Sequence, residues 1–205
     1  MTATNPIDST DAYPDLDALE ALFRSRRSSV VCEREREIPA GLLQRLLASM
    51  SSAPNHRRTV PWRLALFTGA GRVALGDALA ADRIAAAAPE QLDEAVIHKT
   101  RTKYGRAPAV VLVGCAASDD PIRHREDLFA CAAGIEHLLL AATAAGLVSL
   151  WSSPPVLYGE QTSRLAGFDP TTSFVGAVYL GHRREGSDPL PPRDPIDLPI
   201  AAITG

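Results

Sequence analysis

The sequence predicts a single α+β domain, on three observations. Strand-like segments at residues 62–67, 109–115, 148–151 and 173–180 alternate with stretches of helical periodicity. The second of these, Ala109-Val-Val-Leu-Val-Gly-Cys115, is apolar throughout, as a strand buried on both faces must be. A long helix expected over residues 122–146 has later turns (Leu138, Leu139, Leu140, Ala141, Ala142) that are apolar on every side, which puts it in the centre of a core or at a subunit interface. With 205 residues, 46% of them hydrophobic and 22% charged, the chain has ordinary globular proportions and enough length to bury a core.

Taken in order, residues 1–14 are polar and acidic, lack the apolar run of a signal peptide and read as a flexible leader. The domain proper is expected over residues 15–185. Leu16, Leu19, Leu22 and Phe23 recur at helical spacing across residues 16–27, with arginines at the C-terminal end. Pro39 opens a second helix whose Leu42, Leu43, Leu46, Leu47 and Met50 form one stripe. A polar loop at 51–61 leads into the first strand. Ala-rich helical sequence then fills 72–103, interrupted at Pro89. Asp119-Asp120-Pro121 opens the long helix, and a further helix near 158–166 precedes the last strand. Residues 186–205 hold too many prolines for a helix and end too apolar to float free, so an extended arm that docks is expected.

Formal charge is −3, which leaves no net basic field to hold a polyanion, and nucleic-acid binding is not expected. The most apolar stretch, 138–151, is broken by Thr143, Gly146 and Ser149 and falls short of the ~18 apolar residues of a membrane helix. A cytoplasmic protein follows as the expectation. Cys32, Cys115 and Cys131 have no C-x-x-C spacing, so neither a disulfide framework nor a zinc cluster is indicated; Cys115 and Cys131 read as core residues. His124, Glu126, Glu136 and His137 lack H-E-x-x-H spacing, so no metal site is expected, and His124 with Glu126 reads as a solvated helix start. His182-Arg183-Arg184 reads as a solvated turn, with an anion contact as the alternative. Gly69-Ala-Gly71-Arg-Val-Ala74 matches a dinucleotide fingerprint, but no second parallel strand follows within ~30 residues, so it reads as a strand-to-helix turn. Neither a nucleophile elbow nor a catalytic dyad is visible, and no side chain is singled out as catalytic.

Two segments stand apart. Arg24-Ser-Arg26-Arg27-Ser28 ends the first helix, where arginine complements the helix dipole and where closely spaced guanidinium forks beside a hydroxyl also clamp phosphate. Ser52-Ala-Pro-Asn55-His56-Arg57-Arg58-Thr-Val60-Pro61-Trp62 brings hydrogen-bond donors to one rim of the core. Two further strings follow in order: Ala141-Ala142-Thr-Ala-Ala-Gly146-Leu-Val-Ser-Leu-Trp151-Ser152-Ser153 and Val178-Tyr179-Leu180-Gly181. Together they resemble the nitroreductase family of FMN-dependent oxidoreductases, in its small single-domain subgroup. The resemblance covers roughly residues 16–181.

It implies a three-layer fold with a central, mostly antiparallel sheet flanked by helices, in a homodimer interlocked through the long helices. Two FMN sites would lie at the subunit interface, with the arm at 186–205 docking on the dimer. Carried over by position, Arg26 and Ser28 would hold the phosphate and ribityl end with Arg27 beside them. His56 would approach from the other subunit, with Ser52 and Arg58 nearby. Trp151, Ser152 and Ser153 would line the isoalloxazine edge, and Arg193 would add a phosphate contact. NADH or NADPH would reduce the flavin at N5, and a small nitro, quinone or enone-like acceptor would reoxidise it in ping-pong order. Val30 and Val60 depart from the family pattern, each replacing a polar residue expected near FMN. Two other readings share the architecture: reduction of a deazaflavin-type precursor, and a flavin-binding or storage dimer with little turnover.

Overall fold

The computed structural model describes residues 15–88, 93–153 and 159–203. The leader at 1–14, Pro89 and the expected helix start at Tyr158 lie outside the described residues. The sheet holds β1 (Trp62–Thr68), β2 (Ala109–Cys115), β3 (Leu147–Ser152) and β4 (Ser173–His182), in the order β1-β2-β4-β3 with every pair antiparallel. Because β1 and β2 are antiparallel, the glycine string between them cannot open a Rossmann unit. It is the expected turn: Gly69 adopts φ 48° and the helix begins at Gly71.

The central strand explains the layering. All seven residues of β2 are buried, and their alternation feeds two separate cores. Ala109, Val111 and Val113 pack against α2 (Ala40–Ser49) and α5 (Pro121–Ala144), meeting Leu43, Leu46, Ile135, Leu138 and Leu139. Val110 and Leu112 face the opposite layer, α3 (Gly71–Ala86), with Leu75, Leu79, Tyr104 and Tyr179. Each fully buried side chain of this size contributes about 1.5–3 kcal/mol. The sheet sandwiched between helices is the three-layer arrangement that the resemblance implied.

α5 starts where Asp120 caps it, its carboxylate accepting from the Ile122 and Arg123 N–H groups ahead of Pro121 at the first turn. With 24 residues and a window of mean hydropathy 1.4, it has the length and composition of a membrane span. Ile135, Leu138, Leu139 and Ala142 instead pack on the sheet, as in a core helix. On its other side Ile122 is 61% and Phe129 65% exposed, seven residues apart on one face. α1 (Leu16–Ser25) likewise buries no residue fully, and Leu16 and Phe23 stay exposed.

α4 (Glu94–Thr102) crosses α3 at Gly76, where an added Cβ would stand 1.9 Å from the Arg101 carbonyl oxygen, so only glycine permits the approach. α6 (Glu160–Ala166) is capped from α3 by a buried carboxylate. Asp82 Oδ2 accepts from the Gly159 and Thr162 N–H groups and Oδ1 from that of Gln161, each at 2.9 Å.

One expectation is overturned. His124 is not a solvated helix start: it is half-buried, with Nε2 3.0 Å from Ser173 Oγ, because the first turns of α5 lie against the beginning of β4.

All three cysteines are free and buried, and burial pushes their thiols up, as it does the Tyr179 phenol. A group whose folded pKa is raised stabilises the fold below its unfolded pKa and loses that contribution as pH rises toward the folded value. Stability is therefore expected to fall from about pH 9 upward. Urea titrations at pH 7, 9 and 10 check this, and 5,5′-dithiobis(2-nitrobenzoate) should label the thiols only as fast as the protein opens.

Candidate functional site

After α1 the chain turns extended at Arg26 and runs beside the outer edge of β3, with Ser28 bridging Ser149 in parallel and Ser29 N–H donating to the Ser149 carbonyl at 2.8 Å. This places the arginine-serine motif along a sheet edge. A cavity of about 490 Å³ opens here, lined by Arg27, Ser28, Ser29, Val30, Thr143, Val148 and Arg183, with Ser187, Asp188 and Leu190 of the C-terminal segment closing it. The volume is that of a small-molecule site. Two guanidinium groups and several hydroxyls in one cavity favour an anionic, polyhydroxylated ligand.

The two arginines of the motif point differently. Arg27 lines the cavity and donates through Nη1 to the Pro191 carbonyl. Arg26 turns to α5, with Nε 3.4 Å from Glu136 Oε1. Arg193 reaches the same helix end through its backbone, its N–H donating to the Arg24 carbonyl at 3.0 Å and its own carbonyl accepting from Arg24 Nε at 3.4 Å. The segment therefore docks on α1 around residues 191–193. Beyond it Ile196, Leu198, Ile200 and Ile203 are 72–96% exposed.

Trp151 and Ser152 end β3, opposite Val178 and Ala177, and Ser153 Oγ donates to the Val175 carbonyl at 3.3 Å. Trp151 lies against Gly176, where a Cβ would stand 2.4 Å from Nε1, so the indole needs a glycine beneath it. Its Nε1–H and the Ser149 hydroxyl are buried and have no hydrogen-bond partner among the described residues. Unpartnered buried polar groups are rare in folded proteins.

Of the expected site residues only Arg27 and Ser28 line the cavity; Arg26, Trp151, Ser152, Ser153 and Arg193 do not, and Ser52, His56 and Arg58 lie on the segment joining α2 to β1. This loop is strained: Arg57, Arg58 and Val60 take φ values of 58°, 53° and 51°. For a β-branched residue that region is a true outlier. Asn55 brackets the turn, Nδ2 donating to Thr59 Oγ1 and Oδ1 accepting from Val60 N–H, each at 2.9 Å. Thr59 Oγ1 in turn donates to buried Asp127 on α5. His56 Nε2 accepts from Arg57 Nε at 3.2 Å. Since Val60 is 60% exposed, it loses little packing on truncation, and Val60→Gly is expected to stabilise the protein by about 1 kcal/mol, read by urea unfolding.

Arg183, which the sequence reads as part of a solvated turn with an anion contact as the alternative, lines the cavity. Asp82 and Asp127 carried no sequence signal, because each meets its partners across a long stretch of chain.

The sequence model of the nitroreductase family matches residues 23–182. YfhC of Bacillus subtilis (strain 168), provisionally named an NAD(P)H nitroreductase, is 28% identical over 91% of this chain and 95% of its own length. A nitroreductase-like family protein from Bacillus cereus superposes with a TM-score of 0.75 at 23% identity, covering 95% of this chain and 100% of that one. The FMN-dependent nitroreductase NfnB from Mycobacterium smegmatis, in complex with NADPH, superposes at 0.64 with 20% identity, covering 82% of this chain and 89% of that one.

Proposed function

The chain belongs to the nitroreductase family, and on that premise we propose that it is an FMN-dependent oxidoreductase. It draws electrons from NADH or NADPH and delivers them to a nitro, quinone or enone-like acceptor. The observation that carries the reading is the arginine- and hydroxyl-lined cavity directly after the Arg26-Arg27-Ser28 motif.

The residues present fit FMN. Arg27 and Arg183 supply charge for a phosphate dianion, with Arg193 at the same helix end. Ser28 and Ser29 offer hydroxyls to a ribityl chain, and the Trp151 Nε1–H is a buried donor awaiting an acceptor. FMN held there would supply two-electron chemistry at N5, between reduced nicotinamide and an acceptor that use the site in ping-pong order. The protein's share is position and field: Arg27 anchors, Trp151 with Ser152 and Ser153 walls one edge, and no side chain needs to be a nucleophile.

The working unit is a homodimer. The exposed Phe129 and Ile122 on α5 and the apolar residues beyond Arg193 are surfaces that a second copy would cover. Ser52, His56 and Arg58, remote from their own protomer's cavity, then complete the partner's site. The protein works in the cytoplasm.

The purified protein is mixed with FMN and freed of excess. Flavin bands near one per chain, a dimer in sedimentation and flavin-dependent NADPH oxidation with p-benzoquinone are expected. Retention of flavin without turnover would favour storage, turnover only with a deazaflavin the other relative class, and no flavin at all would overturn the proposal.

A further inference from the structure

The Asn55–Val60 turn holds three residues at positive φ, each costing about 1–3 kcal/mol, yet it contains no glycine. Such a turn persists only where its surroundings hold it. What holds it is a directed chain of hydrogen bonds. A threonine hydroxyl has one proton; Thr59 gives it to the Asp127 carboxylate and accepts from Asn55 Nδ2, which orients the amide so that its Oδ1 receives the Val60 N–H. Asp127 is 4% exposed on α5, the helix that also carries Glu136 opposite Arg26. At the other end of the turn, Arg57 Nε occupies His56 Nε2, which leaves Nδ1 as the ring nitrogen this loop presents.

We infer that Asp127 is a positioning residue for the flavin reaction: through Thr59 it clamps the strained turn to α5 and fixes where His56 directs its imidazole. Without the clamp, relaxation of Arg57, Arg58 and Val60 to negative φ swings His56 away. The inference rests on the reading that His56 borders the flavin of the partner subunit.

The test uses FMN-reconstituted dimers of Thr59→Val, Thr59→Ser, Asp127→Asn, His56→Ala and the double variant His56→Ala/Thr59→Val. FMN Kd and the KM for p-benzoquinone are measured beside the thermal midpoint. Thr59→Val is expected to raise Kd and KM about tenfold, the scale of one charge-assisted hydrogen bond, and Asp127→Asn to raise them less, because its amide oxygen still accepts a neutral one. Thr59→Ser keeps the hydroxyl and should behave as wild type. In the His56→Ala background, Thr59→Val should add less than twofold, since the residue being positioned is already gone. An equal Thr59→Val effect in both backgrounds would show a purely structural clamp and overturn the inference, leaving His56 in the site. A wild-type His56→Ala would remove His56 from the site and overturn both. Thr59→Val carries the test if Asp127→Asn fails to fold.

Discussion

On the proposed reading, in which Arg27 holds the FMN phosphate, replacing it with alanine is expected to weaken FMN binding about a hundredfold, the loss of a charged contact worth about 3 kcal/mol. Arg27 is the member of the arginine pair that lines the cavity, whereas Arg26 is turned onto Glu136. Arg26→Ala should therefore cost less affinity. Arg27→Lys keeps the charge but not the fork, and should fall between wild type and alanine. Fluorescence quenching of FMN at two salt concentrations measures all three, and the arginine contribution should shrink as salt rises. The reverse ranking of Arg26 and Arg27 would move the phosphate to the α5 side of the motif.

The second large effect concerns folding. Asp82→Ala leaves the Gly159, Gln161 and Thr162 N–H groups without their acceptor at the start of α6, in a setting where Asp82 is only 6% exposed. Each buried N–H left without an acceptor costs about 1–3 kcal/mol, so the loss is expected at about 3–5 kcal/mol, a large fraction of a domain's 5–15. Urea unfolding of the variant, at unchanged slope, should show a loss of that size. Asp82→Asn retains acceptor capacity on one oxygen only and should recover part of it. A loss below 1 kcal/mol would mean that water replaces the carboxylate.

Much of this protein was legible in its sequence. The expected strand at 109–115 matches β2 to the residue, because an apolar run flanked by Pro108 and a polar turn has few other uses. The long helix is likewise marked at its start by Asp120-Pro121, a local capping signal. The stripe on α2 holds as expected: Leu43, Leu46 and Met50 are buried, and Leu42 and Leu47 pack against the same core at its margin. Of the proposed site, the arginine-serine motif whose Arg27 and Ser28 line the cavity stood out as a short string. The split between Arg26 and Arg27 did not: adjacent identical residues carry no mark of which way each will turn.

By itself the sequence determined the periodicities, the caps and the order of motifs, all properties of residues within a few positions of one another. Only the tertiary structure decided that Asp82 caps a helix 77 to 80 residues away, that Thr59 meets Asp127 across 68 and that His124 pairs with Ser173 across 49. It also decided that Arg183 joins Arg27 in one cavity. The physical reason is that a buried polar group must find a partner, but which partner is set by where the packed sheet and helices bring the backbone, and no local pattern encodes that distance.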